Sequence, residues 1–269
     1  RRGTTTPPIR CWPEGRGFPG GIAVTTLVLT AHGSEDPRSA ANARAVAGQV
    51  ATMRPDLHVR LAFCDLNTPR LVDVLNGLPG TAREAVVTPL LLANAYHARI
   101  DIPRKIAGCG AAERGIDVRQ APVLGEDDRL VSVLRQRVVE LGVSPFDDGV
   151  GVLVVAIGSS DPEANARTAR VAPKLAAGTR WAGATTAFAT RPEPSLAEAA
   201  DELRRRGARR VVIAPWFLAP GLLPDRVRTF ADGAGIEMAA PLGSHRLVAE
   251  TVLDRFDRAR NDRAERIAA

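Results

Sequence analysis

Thr26-Leu27-Val28-Leu29-Thr30-Ala31-His32-Gly33-Ser34 is a β-branched and leucine-rich run that stops at a histidine, a glycine and a serine. Its length and residue types are those of a strand covered on both faces, and Gly33-Ser34 followed by Asp36-Pro37 reads as a turn into a helix. In open α/β sheets ligands collect outside the carboxyl ends of the strands, so the imidazole that ends this strand is a candidate functional group.

Working outward, residues 38–54 carry alanines and valines at helical spacing and stop before Pro55. A second strand is expected over 57–64, ending at Asp65, and a short helix over 69–78 with proline in its first turn. A third strand over 85–92 leads through Ala93-Asn94-Ala95-Tyr96 to His97, and helical character resumes over 101–107. A fourth strand over 118–123 and a helix with an apolar stripe over 126–141 complete the series. Strands alternating with helices predict a parallel sheet with helices on both faces.

The pattern then repeats. Val152-Leu153-Val154-Val155-Ala156-Ile157-Gly158-Ser159 restates the opening strand and turn, with Asp161-Pro162 in the place of Asp36-Pro37. His32 and Ile157 stand 125 positions apart, as do Phe63 and Phe188, and Pro89 and Pro215 stand 126 apart. A register held over three strands predicts an internal duplication, two tandem parallel-sheet αβα domains of α/β class. The expected layout is an unstructured leader over 1–23, a first domain over 24–141, a connector over 142–150 and a second domain over 151–260.

Composition narrows the function classes. The chain has 269 residues, 45% of them hydrophobic, enough for one or two cores. It contains no apolar run long enough to span a bilayer, and its first residues do not form a signal peptide, so a cytoplasmic protein without membrane contact is expected. Cys11, Cys64 and Cys109 are widely spaced, with no C-x-x-C pair, and are read as reduced thiols. The net charge of +6 comes from scattered arginines, with only Lys105 and Lys174 as lysines, and aromatics are 4% of residues. No basic patch with stacking aromatics argues for nucleic acid, whereas a polyanionic small molecule suits such a field. Gly149-Val150-Gly151 precedes its strand, so it is not a dinucleotide fingerprint, and no Walker-type lysine motif is present.

Three strand ends of the first half are expected to bring His32, Asp65 and His97 to one edge of one sheet. Two imidazoles and a carboxylate suit a divalent transition metal and leave coordination positions open. The second half supplies an internal control: Ile157, Thr190 and Leu222 or Leu223 occupy the matching positions. A fold that makes the same turns without those histidines does not require them for structure. His58 and His245 are expected to be surface or packing residues.

Thr30-Ala31-His32-Gly33-Ser34-Glu35-Asp36-Pro37-Arg38, Ala62-Phe63-Cys64-Asp65-Leu66-Asn67-Thr68-Pro69, and Pro89-Leu90-Leu91-Leu92 with His97-Ala98-Arg99-Ile100-Asp101-Ile102-Pro103 resemble the sirohydrochlorin chelatases, class II chelatases of the CbiX/SirB type. The resemblance covers residues 25–255 and implies insertion of Fe2+ or Co2+ into sirohydrochlorin, a tetrapyrrole with carboxylate side chains, for siroheme or cobalamin. It implies that His32 and His97 bind the metal and handle pyrrole protons, with Asp65 where the family places an acid. It implies a metal that is substrate, with no permanently bound cofactor, and a monomer or homodimer. Asp65 departs from the longer Glu expected there, and Ile100 replaces a polar residue. Ser34, Arg38 and Arg99 are candidate contacts to the macrocycle, the arginines by bidentate pairing with carboxylates. A non-catalytic metal or tetrapyrrole carrier is the alternative reading of the same residues.

Overall fold

The computed structural model describes residues 25–190 and 193–268, with side chains described through Asp262. The expected leader and Cys11 lie outside the described residues. The opening run forms β1 (Thr25–Ala31), with its interior residues buried on both faces, as its unbroken apolar composition requires. It is followed by α1 (Pro37–Met53), β2 (His58–Phe63), α2 (Leu71–Asn76) and β3 (Glu84–Pro89). A π-helical turn (His97–Asp101) runs into α3 (Ile102–Ala107), then β4 (Asp117–Gln120) and α4 (Asp128–Val139). All pairings are parallel, in the order β2-β1-β3-β4.

The second half repeats the plan with β5 (Val150–Ala156), α5 (Pro162–Ala169), α6 (Val171–Ala176), β6 (Gly183–Phe188), α7 (Leu196–Arg205), β7 (Arg210–Pro215), α8 (Leu222–Gly233), β8 (Glu237–Met238) and α9 (Arg246–Ala268). Its parallel sheet has the order β6-β5-β7-β8. The duplication holds at the level of single hydrogen bonds. The Asp65 N–H donates to the His32 carbonyl at 3.0 Å, and the Thr190 N–H donates to the Ile157 carbonyl at 3.1 Å. The Leu90 N–H meets the Thr30 carbonyl, and the Trp216 N–H meets the Val155 carbonyl, each at 2.8 Å. Both turns use the same device: Ser34 and Ser159 accept from the N–H of Asp36 and Asp161, and each aspartate caps the helix that follows.

The last helix of each half packs on the other half. α4 packs against α6 and β7, and α9 packs against α1 and β3. Arg135 of α4 donates to the carbonyls of Lys174, Leu175 and Ala177, and Arg255 of α9 donates to those of Val123 and Leu124. One apolar core consequently runs through both halves, from Leu27 and Val46 through Leu134 to Val154, Val252 and Phe256. Separate apolar layers under the outer faces contain Val28, Leu71 and Ile102 in the first half and Leu153, Leu203 and Ile213 in the second. The strands and helices expected from sequence are present with shifted ends. β3 and β4 each end three residues before the expected position, at Pro89 and Gln120.

Candidate metal centre

The segments that follow β1, β2 and β3 meet above the carboxyl edge of the first sheet. There His32, Asp65 and His97 each offer a ligand atom, all within 4.8 Å of one another. Ions held at about 2.1 Å place opposite donors ~4.2 Å apart, so a small adjustment of side chains closes this set around one ion. The His32 and His97 rings lie 4.0 Å apart, centroid to centroid, tilted by 40°. His32 follows the last residue of β1 directly, and Asp65 is two residues beyond β2. His97 is not at a strand end, as the sequence reading placed it. It opens the π-helical turn, seven residues of loop after β3. That turn points the residue back over the edge of the sheet.

Gly33 makes the approach of the first two segments possible. Its φ is +100°, and a Cβ there would lie 1.9 Å from the Asp65 carbonyl oxygen. The neighbouring Ser34 N–H donates to Asn67 Oδ1 at 2.7 Å, tying the two loops together. Ser34 Oγ itself accepts from Asp36, as Ser159 Oγ does from Asp161 in the half without histidines. Of the three candidate macrocycle contacts, Ser34 therefore belongs first to the turn.

Two groups that sequence reasoning left without a role complete the centre. His97 Nδ1 lies 3.3 Å from Asp101 Oδ2, and Lys105 Nζ lies 2.8 Å from Asp101 Oδ1 and 3.6 Å from Asp65 Oδ1. The signal was the spacing: 97, 101 and 105 are four apart and share a helical face. An ionised carboxylate only accepts, so Asp101 fixes the proton of His97 on Nδ1 and leaves Nε2 as the lone-pair donor. Burial works to raise the Asp101 pKa but is outweighed by the hydrogen bonds from Lys105 and His97, which hold the carboxyl below its ordinary value. Partial burial, together with the neighbouring His97, lowers the His32 pKa, which favours the neutral form a ligand needs. Burial pushes the Cys64 thiol up to about 12, so this neighbour of Asp65 stays protonated and is no competing thiolate.

Arg38 pairs with Asp36 and with Asp225 at the start of α8, and Arg99 pairs with Asp161 at 3.0 Å. These ion pairs bring the carboxyl edges of the two sheets together as the walls of one cleft. Large apolar side chains are exposed around it: Leu66, Tyr96 and Ile100 from the first half, Ile157 and Leu222 from the second. Ile157 holds the register position of His32, and Leu222, one of the two leucines matched to His97, opens α8 as His97 opens the π-helical turn. His58 sits at the start of β2, 3.5 Å from Thr26 Oγ1, and His245 accepts from the Leu247 N–H at the start of α9, away from the centre. Among the described residues no helix is long and apolar enough to cross a membrane.

Comparison with known proteins places the chain in a family. The CbiX family model matches twice, over residues 26–141 and 151–259. A sirohydrochlorin cobaltochelatase of Priestia megaterium is 27% identical over 216 residues, 77% of this chain and 69% of that protein. A sirohydrochlorin ferrochelatase of the same organism is 30% identical over 149 residues, 55% of each chain. Among solved structures, SirB from Bacillus subtilis with Fe3+ superposes with a TM-score of 0.77 at 22% identity, covering 90% of this chain and 98% of that one, which is a likeness of fold. A family match that runs through both repeats and breaks only at the connector between them establishes that this chain belongs to the CbiX family.

Proposed function

We propose that this chain is a lyase that inserts a divalent metal, Fe2+ or Co2+, into sirohydrochlorin, with His32, Asp65 and His97 as the ligands that receive the ion. The observation that carries this reading is the convergence of those three groups within 4.8 Å beyond the carboxyl edge of the first sheet. The relatives named as sirohydrochlorin cobaltochelatase and ferrochelatase support the substrate. Metal insertion has to strip water from the ion, bring it to four ring nitrogens and remove two pyrrole protons. Three protein ligands leave positions at which ring nitrogens replace water. Neutral imidazoles near pH 7 act as ligands, and once a nitrogen is released it accepts a proton from the ring. The exposed apolar side chains lining the cleft match the face of the macrocycle, and Arg38 and Arg99 match its carboxylates. The second half, with Ile157 and Leu222 at the matching positions, serves as a wall, and one ion binds per chain.

The test is a steady-state assay that follows the absorbance of sirohydrochlorin as Co(II) or Fe(II) is added, with thermal melting in parallel. His97→Ala is expected to lose at least 100-fold in turnover, the low end of ~10² to 10⁴ for a proton-transfer group, and to melt like the parent. Full activity in a folded variant would remove His97 from the site. Metal binding without turnover in the parent would favour the carrier reading.

A further inference from the structure

We propose that Lys105 is a resident competitor of the metal substrate, an ammonium that joins Asp65 to Asp101 between turnovers and keeps the grip of the site on a divalent ion weak enough for the ion to be passed on. The proposal rests on the reading that His32, Asp65 and His97 hold the ion. Its observations are separate: Lys105 Nζ bridges the two carboxylates at 2.8 and 3.6 Å, and its side chain is only 23% exposed. Asp65 is the one anionic ligand, and any ion bound to it lies within about 6 Å of that ammonium. The choice of residue is unusual for this chain, which uses arginine almost everywhere and has lysine only here and at Lys174. A lysine is a compact point charge on a flexible stem and swings aside, whereas an arginine fork would lock onto a carboxylate. The device is confined to the half that carries the ligands. In the register that places buried Ile102 on buried Val227, Asp101 corresponds to Arg226 and Lys105 to Phe230, so the second half keeps neither charge.

A chelatase gains nothing from a tight metal site, because an ion held too firmly is not surrendered to the ring. Repulsion between a divalent ion and an ammonium at that separation, even screened as in water, weakens binding by about tenfold. Lys105 is therefore a positioning residue that acts through Asp65 and Asp101.

The experiment titrates Co(II) into the full chain, following the cobalt absorption bands, for the parent, Lys105→Gln, Lys105→Arg and His97→Ala. The same proteins are melted without metal and assayed for turnover at saturating Co(II). Lys105→Gln is expected to bind Co(II) about tenfold more tightly and to turn over more slowly, while Lys105→Arg, which keeps the charge and locks onto the carboxylates, is expected to bind it no more tightly than the parent. Unchanged or weaker binding by Lys105→Gln overturns the proposal, and tighter binding with unchanged turnover overturns its account of release. Should the Gln variant melt early, Lys105→Met retains the aliphatic stem and makes the same comparison. Parent and His97→Ala binding Co(II) alike would instead overturn the ligand reading on which the proposal rests.

Discussion

At the scale of single residues, the proposed ligand role of the imidazoles sets metal and proton in competition for the same nitrogens. His32 is the group whose environment is shifted: partial burial and His97 lower its pKa, so its neutral form persists to lower pH than in an unfolded chain. The sign follows. The midpoint of His32 protonation lies below the ordinary histidine value of ~6.5, and Co(II) affinity is expected to weaken as pH falls through it. Titrations from pH 5 to 8 are expected to show the low-pH slope of log Kd reduced by about one proton in His32→Ala. A flat profile, or an unchanged slope, would show that His32 is not a ligand. His32, Asp65 and His97 were legible in the sequence because each comes after an apolar run and the second half offers at most the Thr190 hydroxyl at the matching positions. Asp101 and Lys105 were not, since a charged pair on a helix is ordinarily solvated and only the fold turns this one toward Asp65. The turn role of Ser34 was not legible either: its Oγ accepts from the Asp36 N–H, which leaves its O–H to donate elsewhere.

At the scale of elements, the starts of α1 and α5 were legible from their Asp-Pro signals, whereas the position of His97 was not. An apolar run tells where a chain is buried but not where its ladder of hydrogen bonds stops, and β3 ends three residues before Leu92. The start of α4 shows what a cap does beyond its own helix. Asp127 accepts from the Arg129 N–H at 3.0 Å and from its side chain at 2.8 Å, and it also receives Arg255 of α9 at 2.9 Å. The Arg129 and Arg255 hydrogen bonds hold this carboxyl far below its usual range against the opposing effect of burial. A carboxylate whose folded pKa is depressed adds stability that is complete above the unfolded value of ~3.9 and is lost as pH falls toward the folded one. Asp127→Asn is expected to cost about 2 kcal/mol in urea unfolding at pH 7, the scale of hydrogen bonds to a charged group, with the difference shrinking at pH 3. An equal cost at both values would show that charge is not what Asp127 contributes.

At the scale of the whole molecule, the duplication was legible because its register is constant, but the exchange of α4 and α9 was not. Both helices have apolar faces that fit either sheet, and no local pattern says which one they cover. The exchange matters for function because it fixes the two halves through a shared core, while at the carboxyl edges of the sheets exposed ion pairs, Arg38 with Asp225 and Arg99 with Asp161, link one half to the other. Such pairs are worth about 0.2–1 kcal/mol, little enough for a carboxylated macrocycle to replace the aspartates as partners of the arginines. On the proposed function, Asp161 and Asp225 would stand in for substrate carboxylates, and removing their charge would free the arginines. Asp161→Asn retains a side chain that caps α5 equally well, so the comparison isolates charge. The double variant Asp161→Asn/Asp225→Asn is expected to lower KM for sirohydrochlorin by about two- to fivefold with kcat unchanged, and Arg99→Ala to raise it. Steady-state assays at two salt concentrations would show the KM difference narrowing at the higher one, since exposed pairs are screened. A KM that rises in the double variant would mean that these ion pairs hold the cleft in its binding shape and are not displaced by substrate.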